Sequence, residues 1–96
     1  MDPGERVRWV LETATAVLRG RVSAEQGTQA VRLQQDQLVV LLRRDRDAVT
    51  RRESEAVAVR LRLLAEQLVD SAEARDDPEG YLALAEALGE MAAVLR

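Results

Sequence analysis

Apolar residues recur three or four positions apart through most of the chain, the spacing of one face of an amphipathic helix. Between residues 3 and 19 the face reads Val7, Val10, Leu11, Ala14, Val17 and Leu18. Between 24 and 45 it reads Val31, Gln34, Leu38 and Leu41/Leu42, ending in the run Leu38-Val39-Val40-Leu41-Leu42. Val57, Leu61, Leu64 and Leu68 carry the pattern through 51–75, with Val59 and Leu63 flanking. Tyr81, Leu84, Leu88, Met91 and Leu95 make a three-four seam through 78–95. No stretch sustains a period of two and no Asn-Gly or Asp-Gly turn occurs, so no strand is predicted.

Start signals divide the pattern into the same four segments. Asp2-Pro3 and Asp77-Pro78 each place an N-cap acceptor before a proline at the first helical position. Ser23-Ala24-Glu25-Gln26 and Thr50-Arg51-Arg52-Glu53 fit the capping box, and Gly20 stands where a left-handed residue ends the first helix. The prediction is a single all-α domain over 1–96, a small antiparallel bundle of four helices. One connection stays open. No Gly or Pro occurs between Gly27 and Pro78, so the second and third helices could run on as one rod through the polar stretch 43–52. The Thr50/Glu53 box favours a break.

Two segments are apolar on more than one side, and such a helix needs more than one neighbour. The Leu38–Leu42 run wraps most of its helix, and Val59 and Leu63 add a second face to the third. Ala85, Gly89 and Ala93, four apart, would also let another backbone approach the fourth helix. Small domains often supplement a modest core by association. The expected contacts are therefore Leu38, Val39, Val40, Val59, Leu63 and Met91, in a homo-oligomer or a partner's groove. Gln34, polar on an apolar stripe, suits a register-setting residue. Trp9 sits off the main stripe, as a second-layer core or rim residue, with an interface anchor the alternative.

Composition narrows the chemistry. The 96 residues contain no Cys and no His, and all 14 basic residues are Arg. Disulfides, thiolate sites, imidazole bases, Schiff-base lysines and P-loop lysines are thereby excluded. The five glycines are scattered singly, so no phosphate-cradling loop is present. No run approaches the roughly 18 apolar residues of a membrane span. The first residues lack the shape of a signal peptide, which gives the expectation of a cytoplasmic protein.

Net charge is −3 but unevenly spread. Residues 43–62 hold seven Arg against four acids, whereas 63–96 hold two Arg against eight acids. Arg43, Arg44, Arg51 and Arg52 are the candidates for orienting an acidic partner. Overall negative charge, interleaved acids and the absence of a nearby aromatic argue against nucleic acid.

Three segments resemble parts of two families of helical enzymes. Glu86-Ala87-Leu88-Gly89-Glu90-Met91 resembles a helix of the helical nucleotide pyrophosphohydrolases, which implies Mg²⁺ held by carboxylates, with Asp70, Glu73, Asp76 and Asp77 as further acids. That family needs another acidic pair on a later helix, and none follows Glu90 here. Leu33 to Arg44 resembles the first helix of the all-helical chorismate mutases, and Arg52-Glu53 a later pair of that family. The likeness implies Arg residues around a dianionic substrate. The family's lysine is missing, and no glutamine follows Gln67.

The reading expected from all of this is a non-enzymatic protein–protein interaction module without cofactor or metal. It would self-associate and serve as a small adaptor, regulator or assembly subunit. A small all-α enzyme of either kind above is the alternative, and a nucleic-acid-associated helical protein a less specific one.

Overall fold

Side-chain caps set the helix boundaries in the computed structural model, which describes residues 3–47 and 49–95. Four helices are found among the described residues: α1 Pro3–Leu18, α2 Ala24–Arg44, α3 Arg51–Ala72 and α4 Pro78–Val94. Ser23 Oγ accepts from Gln26 N at 3.1 Å, Thr50 Oγ1 from Glu53 N at 3.2 Å and Asp77 Oδ1 from Gly80 N at 3.0 Å. Each satisfies a backbone donor that the first turn of a helix leaves orphaned. The expected Asp2 cap lies outside the described residues.

Gly20 has φ +75°. Arg21 N donates to Ala16 O and Gly20 N to Val17 O, the paired bonds of a Schellman stop. The connection between α2 and α3 is a break and not a rod. Asp45 leaves helical geometry at φ −144° and its carboxylate accepts from Asp47 N at 3.0 Å. Val49 then turns inward and is buried, closing one end of the bundle beside Leu42 and Leu95. The third helix stops at Ala72, three residues before the sequence-based boundary. Ala74 N and Arg75 N bond to Ser71 O and Ala72 O, a tighter winding that carries the chain into the α3–α4 loop.

Packing neighbours run in the cycle α1–α2–α4–α3, with the α3/α4 contact the most extensive and the α1/α3 contact the slightest. Arg6, early in α1, donates to Gln34 and Gln37, well along α2. Gly27, early in α2, lies against Val17, near the end of α1; a Cβ there would stand 2.6 Å from Val17 Cγ2. Any side chain there would force the buried Val17 side chain to shift.

Leu38, Leu61, Leu68, Leu84, Leu88 and Met91, with Val10, Val17 and Val31, are the largest fully buried side chains. The third helix turns slightly from its expected face: Ser54, Ala58 and Ala72 are buried with Leu61 and Leu68, while Val57 and Leu64 are half-buried. Small residues at the contact let α3 settle closely, and alanine carries little weight in a pattern of large apolar residues.

One corner fastens α1 to the α3–α4 loop. Tyr81 OH donates to Val17 O at 3.0 Å, and Arg75 donates to Leu18 O at 2.9 Å with its guanidinium over the Tyr81 ring. Val17 O also accepts from Gly20 N at 3.0 Å. Tyr81→Phe therefore deletes one bond without orphaning the carbonyl. It is expected to cost about 1 kcal/mol in urea unfolding, the ordinary net value of one buried bond.

The bundle measures 40 × 20 × 17 Å with a radius of gyration of 12.8 Å. Its accessible surface of 6072 Å² exceeds by about a tenth the roughly 5,500 Å² that scaling gives a monomer of this mass. Four slim helices around one core each keep an outward flank. What those flanks carry decides the function.

Candidate functional site

The outward flanks carry aliphatic side chains. Leu33, Val40, Val59, Leu63, Val69 and Leu82 are each about half exposed in the body of a helix, and Trp9 is 37% exposed on α1. Val59 and Leu63 lie close to 180° around α3 from buried Leu61, at about 100° per residue. They belong to the face that the chain's own core does not use. Val69 and Leu82 floor an open trough between α3 and α4 with Ala65 and Ala85, rimmed by Glu66, Asp70 and Glu86. Val40 and Leu41 sit beside Arg6 and Gln37 on the outer side of the α1/α2 contact.

The expected contact residues divide into two groups. Val40, Val59 and Leu63 are exposed and Val39 is half-buried. Leu38 and Met91 are each only 1% exposed. Those two are a correction: both face the chain's own core and are unavailable to a partner in this fold. Leu38 shares a stripe with Val31 and Gln34, seven and four residues before it, and Met91 shares one with Leu84 and Leu88. Their spacing already assigned them inward. Leu33, Val69 and Leu82 were missed. Their signal was a large apolar residue set off the buried stripe of its own helix.

The polar candidates also resolve by position. Arg43 and Arg44 end α2 while Arg51 and Arg52 begin α3, so all four are exposed at one end of the bundle. Arg43 and Arg44 suit the negative end of the α2 dipole. Arg51 and Arg52 stand at the positive end of α3, against the dipole. Arg51 is compensated by Glu55 at 3.4 Å, one turn on. Gln34 is buried and its side-chain oxygen accepts from Arg6 at 2.9 Å, so its polarity is used between α1 and α2. Trp9 stays at the rim.

The carboxylates that the pyrophosphohydrolase likeness would employ do not converge. Glu90 pairs with Arg32 across the α2/α4 contact at 2.9 Å, both nearly half exposed. Asp70, Glu73, Asp76 and Asp77 are all exposed along the end of α3 and the loop after it. Among the described residues no three carboxylates gather closely enough to hold a metal ion. No described helix is long and apolar enough to cross a membrane. Compared with family models, curated proteins and solved structures, the chain matches none of them.

Proposed function

We propose that this chain is a protein–protein interaction module that works by self-association, an antiparallel four-helix bundle whose outer aliphatic faces seat a second copy. The observation that carries the reading is the set Leu33, Val40, Val59, Leu63, Val69 and Leu82, each about half exposed within a helix. Isolated surface leucines are ordinary. Here two pairs share continuous faces, Val59 with Leu63 at the middle of α3 and Val69 with Leu82 toward the α3–α4 loop. Each large aliphatic side chain contributes about 1.5–3 kcal/mol when its burial is complete, and these have half of that still to gain. Association is how they gain it. The Arg residues at the α2–α3 end then select which surface approaches, since rim charges govern orientation and encounter rate more than affinity. The role is that of an adaptor, a regulator or an assembly subunit, and the chain performs no chemistry of its own.

Thermal unfolding followed against protein concentration tests this. A self-associating fold is stabilised by mass action, so its melting temperature rises with concentration through the micromolar range. A melting temperature independent of concentration overturns the reading.

A further inference from the structure

The outward face of α3 is a regular seam. Arg52, Ala56, Val59, Leu63, Glu66 and Asp70 are spaced four, three, four, three and four residues apart, and all six are exposed. That is the a/d spacing by which one helix packs along another. The stripe stands opposite the face carrying Leu61 and Leu68, so it lies clear of the contacts that hold the bundle.

The seam complements itself when reversed. Take Leu61 as its centre: Val59 and Leu63 lie equally far on either side, Ala56 matches Glu66, and Arg52 matches Asp70. The half before Leu61 carries Arg52, and the half after it carries Glu66 and Asp70 with no basic residue in the stripe. Arg52 and Asp70 have no ion-pair partner among the described residues. Arg52 also sits in the first turn of α3, where the helix dipole disfavours a cation. A residue that opposes its own helix and has no ion-pair partner among the described residues is explained by what it meets outside.

We infer that α3 is the self-recognition element: two copies pack α3 on α3 in opposite directions about a two-fold axis level with Leu61, Val59 of each against Leu63 of the other and Arg52 of each against Asp70 of the other. This rests on the self-association proposed above and names the surface that performs it. A C2 interface is isologous, so one patch must complement itself, and this one does. The parallel alternative sets Arg52 against Arg52, Glu66 against Glu66 and Asp70 against Asp70, which like-charge repulsion disfavours. Arg60 and Arg62 flank the stripe on opposite sides near the axis, each close to its own copy. Salt screens that repulsion together with the favourable pairs, so charge reversal and not salt is the discriminating variable. The seam is about 27 Å long from Arg52 to Asp70 at 1.5 Å per residue. A single helix pair of that length is a small contact, of the kind found in reversible and not obligate dimers.

The test uses the full chain carrying Arg52→Asp or Asp70→Arg, each alone, the two mixed, and both in one chain. Both residues are exposed, and both changes suit the α3 dipole, an acid at its start and a base near its end. The monomer fold is therefore expected to survive, with its helical circular dichroism unchanged. Each single variant is expected to raise the dissociation constant about tenfold or more in sedimentation equilibrium, because both symmetric pairs become repulsive. The equimolar mixture is expected to recover wild-type association as a heterodimer, seen by native mass spectrometry, and the double variant to recover it with itself. Single variants that associate as tightly as wild type overturn the seam. So does a mixture as weak as its two parents. A dimer indifferent to these reversals removes the seam and leaves self-association standing, whereas a monomeric wild type removes both.

Discussion

Leu88→Ala is expected to lower the unfolding free energy by about 2–5 kcal/mol, the range for deleting a buried leucine and leaving its cavity. Leu88 is wholly buried in α4, whose flanks meet both α2 and α3, so the void opens where the bundle is most enclosed. The core holds no phenylalanine or isoleucine that might shift to refill it. A domain of this length has roughly 5–15 kcal/mol in all. The loss is thus a large fraction, equivalent to a fall in melting temperature of about 10 °C or more. Equilibrium urea unfolding checks it. A loss below about 1 kcal/mol would mean that Leu88 is not enclosed as described.

Leu63→Asp is expected to do the reverse: leave the fold and abolish the assembly. Leu63 is 53% exposed, so an aspartate there stays solvated in the free chain and the bundle keeps its helicity. On association the carboxylate must give up water against an aliphatic surface, where Arg60 and Arg62 flank the stripe instead of facing it. Burying an unpaired charge is costly enough to weaken the dissociation constant about a hundredfold or more. The contrast with Leu38→Asp separates a surface role from a core role. Leu38 is 1% exposed, so the same substitution places a carboxylate inside the bundle and unfolds it. Circular dichroism beside sedimentation distinguishes the two. A Leu63→Asp chain that still associates as wild type would exclude the α3 surface from the contact.

The helices were legible in the sequence because local chemistry fixes where they begin. Ser23, Thr50 and Asp77 cap in the structure as their residue types and spacings predict. Gly20 ends α1 because the stop needs a positive φ. The end of α3 was less legible. Glu73, Ala74 and Arg75 are good helix formers, and only the geometry of the turn into α4 stops the helix early. Val49 was also hidden, a lone apolar residue in a charged stretch whose inward turn depends on where two other helices end.

The exposed aliphatic faces were legible in part for a related reason. Periodicity assigns faces to a helix but does not say how far each helix turns about its axis. Val59 and Leu63 were recognisable as a second face of one helix and are exposed. Val69 and Leu82 become neighbours only when α3 and α4 pack, across a loop that local spacing does not span. The Leu38–Leu42 run shows the same limit within one helix. Five consecutive apolar residues face all ways, and the fold buries Leu38 and Leu42, half-buries Val39 and Leu41, and exposes Val40. Gln34, polar on an apolar stripe, finds its partner in Arg6 of α1, which only the packing of the two helices reveals.

The central claim is that the aliphatic flanks left outside the core are covered by a second copy of the chain. The mass of the wild-type protein in solution, by sedimentation equilibrium across the micromolar range, tests it most directly. The mass is expected to climb from 10.7 kDa toward twice that value as concentration rises. A mass that stays at 10.7 kDa throughout would contradict it.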